Sequence, residues 1–171
     1  MNKKFLPFLS VLILFFFSQP ELTHGVDPSP GETYFWGMYS QGISTQGHAN
    51  SIGISVEYNR HVFSVRTTAT DSEPFNDTWD IGILYGRSYR SGSLFLSAGA
   101  GPSVIAGNQY SKLIGGNLEE TMEAMLAFAI EAQAALAFSS FASLGVYTSI
   151  NVNTNQPIGS IGASIRLGKV K

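Results

Sequence analysis

Residues 123–138, EAMLAFAIEAQAALAF, are the stretch on which the fold turns. Ala, Leu, Glu and Met are strong helix formers, and residues 118–138 judged locally describe a helix. Counted in twos they describe a strand. Leu126, Phe128, Ile130, Leu136 and Phe138 share one parity, and Glu131 and Gln133 share the other. The neighbouring sequence decides between the two.

On both sides the chain alternates. Ile52, Ile54, Val56 and Tyr58 oppose Ser51, Gly53, Ser55 and Glu57. Leu144, Val146, Thr148, Ile150 and Val152 oppose Ser143, Gly145, Tyr147, Ser149 and Asn151. Ile161, Ala163, Ile165 and Leu167 oppose Ser160, Gly162, Ser164 and Arg166. This period-2 pattern predicts strands over 33–43, 49–59, 61–70, 78–90, 93–105, 140–152 and 158–168. A helix at 123–138 leaves seven, whereas bacterial single-chain membrane barrels use even numbers. The expected fold is therefore all-β, an eight-stranded antiparallel up-and-down transmembrane β-barrel, with 117–122 as loop.

Composition supports a membrane setting. Only 13% of residues are charged against 44% hydrophobic, where a soluble domain carries about 25% charged residues. The bulky face has few charges, and the other is mostly Ser, Gly, Ala and Thr. That second face makes a poor soluble core and a plausible barrel lumen. Lys3 and Lys4 followed by the apolar run Phe5–Phe17 predict a cleaved signal peptide over residues 1–25, since the run is too short to span a bilayer as a helix. A short segment 26–32, the barrel 33–168 and a tail 169–171 follow. The absence of cysteine excludes a lipid-modified N-terminus, disulfides and thiolate metal sites. A net charge of −2 gives no basic patch for nucleic acid.

The connections sort by length. Those at Asn59-Arg60, Arg90-Ser91-Gly92 and Ser139-Ser140 are short, and those at 44–48, 71–77, 106–122 and 153–157 are longer and more polar. Outer-membrane barrels have tight periplasmic turns and longer outer loops, so both termini are expected to be periplasmic and 106–122 outside. Tyr34, Trp36, Tyr58, Phe63, Tyr89 and Phe138 then form an aromatic girdle at the periplasmic rim, with Trp79 at the outer one.

On this strand pattern, residues 31–168 resemble the small outer-membrane β-barrel proteins of OmpA- and OmpX-like type, and more loosely small barrels of Bacteroidetes-type bacteria with a Gly-Lys tail. The last strand, Ser160-x-Gly162-x-x-Ile165-x-Leu167, resembles the signal read by barrel-assembly machinery, without its terminal aromatic. The resemblance implies a monomer in outer-membrane lipid, with that machinery as a partner during biogenesis.

Five charges fall on the lumen parity: Glu57, Arg66, Asp80, Glu131 and Arg166. Buried charges need partners, and the expected pairs are Glu57–Arg166 and Arg66–Glu131. Their expected role is to fill the lumen, which in eight strands is just wide enough for side chains. A gated narrow channel is the alternative. His48 in the first outer loop with Asp71 and Ser72 in the second superficially resembles the arrangement of a lipid A acyl enzyme, where a His activates a hydroxyl. These residue types are ordinary in polar loops, so no catalytic, cofactor-binding or metal site is assigned. His61 is expected at an interface, and His24 flanks the cleavage site. The expected role is structural or surface-interacting.

Overall fold

The computed structural model describes residues 31–72, 76–113, 116–154 and 157–170. The expected signal peptide lies outside them. Eight strands run β1 Thr33–Ser44, β2 Gly47–Tyr58, β3 His61–Ser72, β4 Asn76–Ser91, β5 Leu94–Leu113, β6 Gly116–Ala137, β7 Ala142–Val152 and β8 Ile158–Lys169. Each pairs antiparallel with the next, and β8 pairs back onto β1 to close a barrel. The ambiguous stretch is a strand. Leu126 is 80% exposed, and Phe128 and Leu136 also face outward, while Ala129, Glu131, Gln133 and Ala135 are buried. Helix propensity yields to the two-sided environment.

The registers fix the geometry. From Thr33 the ladder passes through Tyr58, His61, Arg87, Ala98, Ala132, Thr148 and Ile161, and re-enters β1 at Ile43, ten residues along. A stagger of that size tilts the strands by about 35–45° and sets the barrel radius. Ile52, Ile54, Val65, Ile81, Ile83, Leu144, Val146 and Ile161 stand on the outer face. Exposed to water, such a belt is an aggregation surface; facing hydrocarbon, it is matched.

The tight turns and both described ends of the chain lie at one end, here the turn end. Asn59 and Arg60 have φ of 49° and 66°, the left-handed pair of a two-residue hairpin. At the opposite end the reading is corrected three times. The first connection is as tight as those at the turn end, with β1 and β2 in register to Ser44↔Gly47. The second, expected over 71–77, is narrowed by β3 and β4, which pair up to Ser72↔Asn76. Residues 106–122 are not a loop: β5 and β6 continue through them as a paired hairpin up to Leu113↔Gly116. A bulge between Ile105 and Gly107 marks where this arm leaves the wall.

Glycine makes the corners. A Cβ on Gly42 would lie 2.0 Å from the Ile161 carbonyl oxygen of β8, and one on Gly162, its register partner, 2.5 Å from that of Gln41. Strands approach this closely only at a sharp bend. We expect Gly42→Val to cost at least about 3 kcal/mol and to abolish the heat-modifiable gel band. Gly37→Ala in the same strand, where the nearest atoms are 4.0 Å away, should retain it.

Candidate functional site

The lumen is packed in tiers. At the turn end Tyr34, Trp36, Met38, Val62, Phe95, Tyr147 and Val170 form an apolar cluster. The expected girdle is corrected here: Tyr34 and Trp36 share the parity of Met38 and Ser40 and point inward, with Trp36 0% exposed. Tyr58, Phe63 and Phe138 do face outward, and Phe35, Tyr85 and Phe141 join them.

Two guanidiniums enter this cluster. Arg90 lies 4.0 Å from the Tyr34 ring centroid and 4.6 Å from that of Phe95, and Arg166 lies 3.9 Å from Phe95. Glu57 is bound by Arg90, whose Nη2 and Nε donate to Oε2 at 2.6 and 3.0 Å, and by the Ser88 hydroxyl at 2.6 Å. The expected Glu57–Arg166 pair is therefore not formed. Arg90 follows β4's inward parity through Leu84 and Ser88 and reaches Glu57 first, whereas the Arg166 Nε donates to Ser143 Oγ at 2.8 Å. The chain beyond β8 bends at Gly168 (φ +139°), and Val170 is buried beneath the cluster. Its amide donates to the Ser140 carbonyl, and its carbonyl accepts from Arg90. Residue 170, assigned above to the tail, is a stopper in the lumen.

At mid-height Arg66 bridges two carboxylates. Its Nη1 lies 2.9 Å from Asp80 Oδ1, and its Nε lies 3.6 Å from Glu131 Oε2. Asn151 donates to Asp80 and to Ser103, and Tyr147 donates to Glu131. Above this tier a small pocket is lined by hydroxyls of Thr68, Thr70, Thr78, Ser149 and Ser160. Ile105 and Ile158 pack together beside it. Parity alone pointed to the lumen charges except Arg90, which was read as part of a turn.

The loop residues do not assemble a catalytic set. His48 and Asp71 are exposed register partners across β2 and β3 without an ion pair between them, and Ser72 is the next position along β3, of opposite parity. His61 Nδ1 lies 2.6 Å from the Tyr85 hydroxyl on the outer face. Among the described residues no group of three His, Asp or Glu side chains is placed to hold a metal.

Removing Arg66 leaves two buried carboxylates facing each other. Arg66→Met should destabilise by about 3–5 kcal/mol, read as a lowered urea midpoint of the refolded barrel. A double-mutant cycle of Glu57→Gln with Arg90→Gln should give a coupling of about 1–3 kcal/mol, larger than the cycle of Glu57→Gln with Arg166→Gln.

No protein-family profile matches the chain, and neither does any curated relative. Solved structures do. The N-terminal β-barrel domain of Pseudomonas aeruginosa OprF superimposes with a TM-score of 0.61 at 8% identity, covering 81% of this chain and 98% of that one. Neisserial surface protein A gives 0.55 at 16%, covering 79% and 94%. The outer membrane enzyme PagL gives 0.52 at 16%, covering 77% and 98%. One is described as a surface protein and another as an enzyme, so the likeness carries architecture and not activity. The fold of this chain is that of the small eight-stranded outer-membrane β-barrels.

Proposed function

We propose that this barrel is a non-enzymatic outer-membrane protein that acts at the cell surface through its β5–β6 arm, with the lumen serving as structural fill. The observation that carries this reading is the arm's unpaired edges. The β4–β5 ladder ends at Thr78↔Gly107, and the β6–β7 ladder ends at Phe128↔Val152. Beyond those points residues 108–113 of β5 pair only with 116–121 of β6, and residues up to Ala127 of β6 pair only with β5, among the described residues. Six residues of strand reach about 20 Å. Unpaired edges are templates for strand addition by an extended segment of another protein. Glu119, Glu120 and Glu123 against Lys112 make the arm acidic, which favours a basic segment.

The long β5–β6 hairpin rises from the end opposite the termini, and because outer-membrane barrels carry their longer extensions outside, this supports a periplasmic placement of the turn end and an arm outside. A conducting lumen is disfavoured by the tiers of side chains across it. An acyl-transfer reading is disfavoured by the opposite parity of Ser72 and Asp71.

Gly107 and Met122 are register partners, so the arm can be cut at that level and closed with an Asn-Gly turn. The shortened barrel should keep its heat-modifiable mobility. A photoreactive residue at position 120 of the full chain should give a discrete protein adduct on whole cells, and attachment of those cells to protein-coated surfaces should fall several-fold on shortening. If adducts are absent and shortened, full-length and empty cells attach alike, the reading fails.

A further inference from the structure

Arg166 is 1% exposed, and its Nη1 and Nη2 have no hydrogen-bond partner. The indole Nε1 of Trp36, which is fully buried, has none either. The two residues adjoin, with the Arg166 guanidinium 5.4 Å from the Trp36 ring centroid. Three unpartnered donor atoms therefore gather at the turn end of the lumen, while the one buried acceptor without a partner among the described side chains is the neutral Gln133 Oε1. Stacking on Phe95 at 3.9 Å offsets part of the charge through the ring face. It leaves the N–H groups, which lie in the guanidinium plane, without acceptors.

The carboxylates within the barrel are already engaged. Glu57 is held by Arg90 and Ser88, and Asp80 and Glu131 are held by Arg66 a tier above. Among the described residues, the charged side chains that face the lumen in the turn-end tier are thus two guanidiniums and one carboxylate, with Glu32 half-buried at the rim on the Tyr34 hydroxyl. Uncompensated buried charge costs several kcal/mol. A neutral acceptor would satisfy the hydrogen bonds and leave that charge.

We propose that Arg166 and Trp36 bind a monatomic anion, chloride in the cell, at the turn end of the lumen. Its size follows from the enclosure. Trp36, Phe95, Ser143 and Val170 are each at most 1% exposed, and the small hydroxyl-lined pocket lies at the opposite end of the barrel. A monatomic ion, which can accept several N–H groups at once, asks less room of that enclosure than a polyatomic oxyanion. Such an ion binds the closed barrel and not the unfolded chain, so it adds to stability in proportion to the logarithm of its concentration once bound.

The full barrel in detergent, unfolded thermally and followed by the gel shift, reads this directly in sodium bromide against sodium gluconate at equal ionic strength. The midpoint should stay flat at low halide and then rise with the logarithm of halide concentration above its Kd, and crystals grown in bromide should show an anomalous peak in contact with the Arg166 Nη atoms and Trp36 Nε1. Trp36→Phe keeps the ring and removes one donor to the ion. It should weaken the apparent halide affinity about ten-fold. Arg166→Met should abolish the halide dependence. Should that variant fail to fold, Trp36→Phe and the salt comparison on the native chain decide alone. Equal midpoints in bromide and gluconate, water without anomalous signal at the site, or an unchanged halide response in Trp36→Phe would each overturn the assignment.

Discussion

Ring closure is the constraint everything else in this molecule answers to. In hydrocarbon an unpaired backbone N–H or C=O costs several kcal/mol, so a sheet survives there only without edges. The β8–β1 ladder removes the last two. Once the ring is closed, alternate residues are committed to lipid or lumen, and a slip of one position inverts every side chain of a strand. The glycine corners follow from the same demand. Eight strands with a ten-residue stagger curve tightly enough that Gly42 and Gly162 pass backbone against backbone, where a side chain has no room.

Closure at this small radius also explains the lumen. It is too narrow for bulk water and too long to be spanned by one layer of side chains, so it fills in tiers that must each settle their own charges. The middle tier concentrates two carboxylates on Arg66, whereas in the lower one Arg90 takes Glu57 and Arg166 is left with rings and the Ser143 hydroxyl. Formal charge balances across the whole lumen yet not within either tier. Tyr34, Trp36 and Phe95 serve the lower tier by stacking on the cations, which is why those aromatics face inward and not toward the lipid.

Face was legible in the sequence, and height was not. Alternation assigned Glu57, Arg66, Asp80, Glu131 and Arg166 to one parity, because parity depends only on position within a strand. Which of them meet depends on the stagger between strands, and no single strand carries that information. Parity alone offers Arg166 as a partner for Glu57, while Arg90, two residues past Ser88 on the same parity, sits where the sequence turns. Trp36 misled for a different reason: β1 carries aromatics on both faces, Phe35 and Tyr39 against Tyr34 and Trp36, so alternation gives no contrast. At 123–138 the reverse happened. Local propensity favoured a helix, and Glu131 and Gln133 on one parity outweighed it because strand number is a property of the whole ring. The arm is hidden in the sequence because Gly107, Asn108, Gly116 and Asn117 carry loop composition, although a bulge and a hairpin draw on the same residue types.

The arm also shows where the closure rule stops applying. Within the membrane an open edge is forbidden, so β4 and β7 flank β5 and β6 at every level up to Gly107 and Phe128. The β6–β7 ladder ends at Phe128, opposite Pro102, and the β4–β5 ladder ends at Gly107 just past the bulge. Beyond both the two strands continue alone, which is tolerable only where water can bond the exposed edges. This leaves the arm as the part of the backbone whose hydrogen-bonding capacity is not consumed by the fold. The wall of the barrel has no pairing left to offer a protein partner, and the lumen has no space for one; strand edges that continue past the closed ring have both.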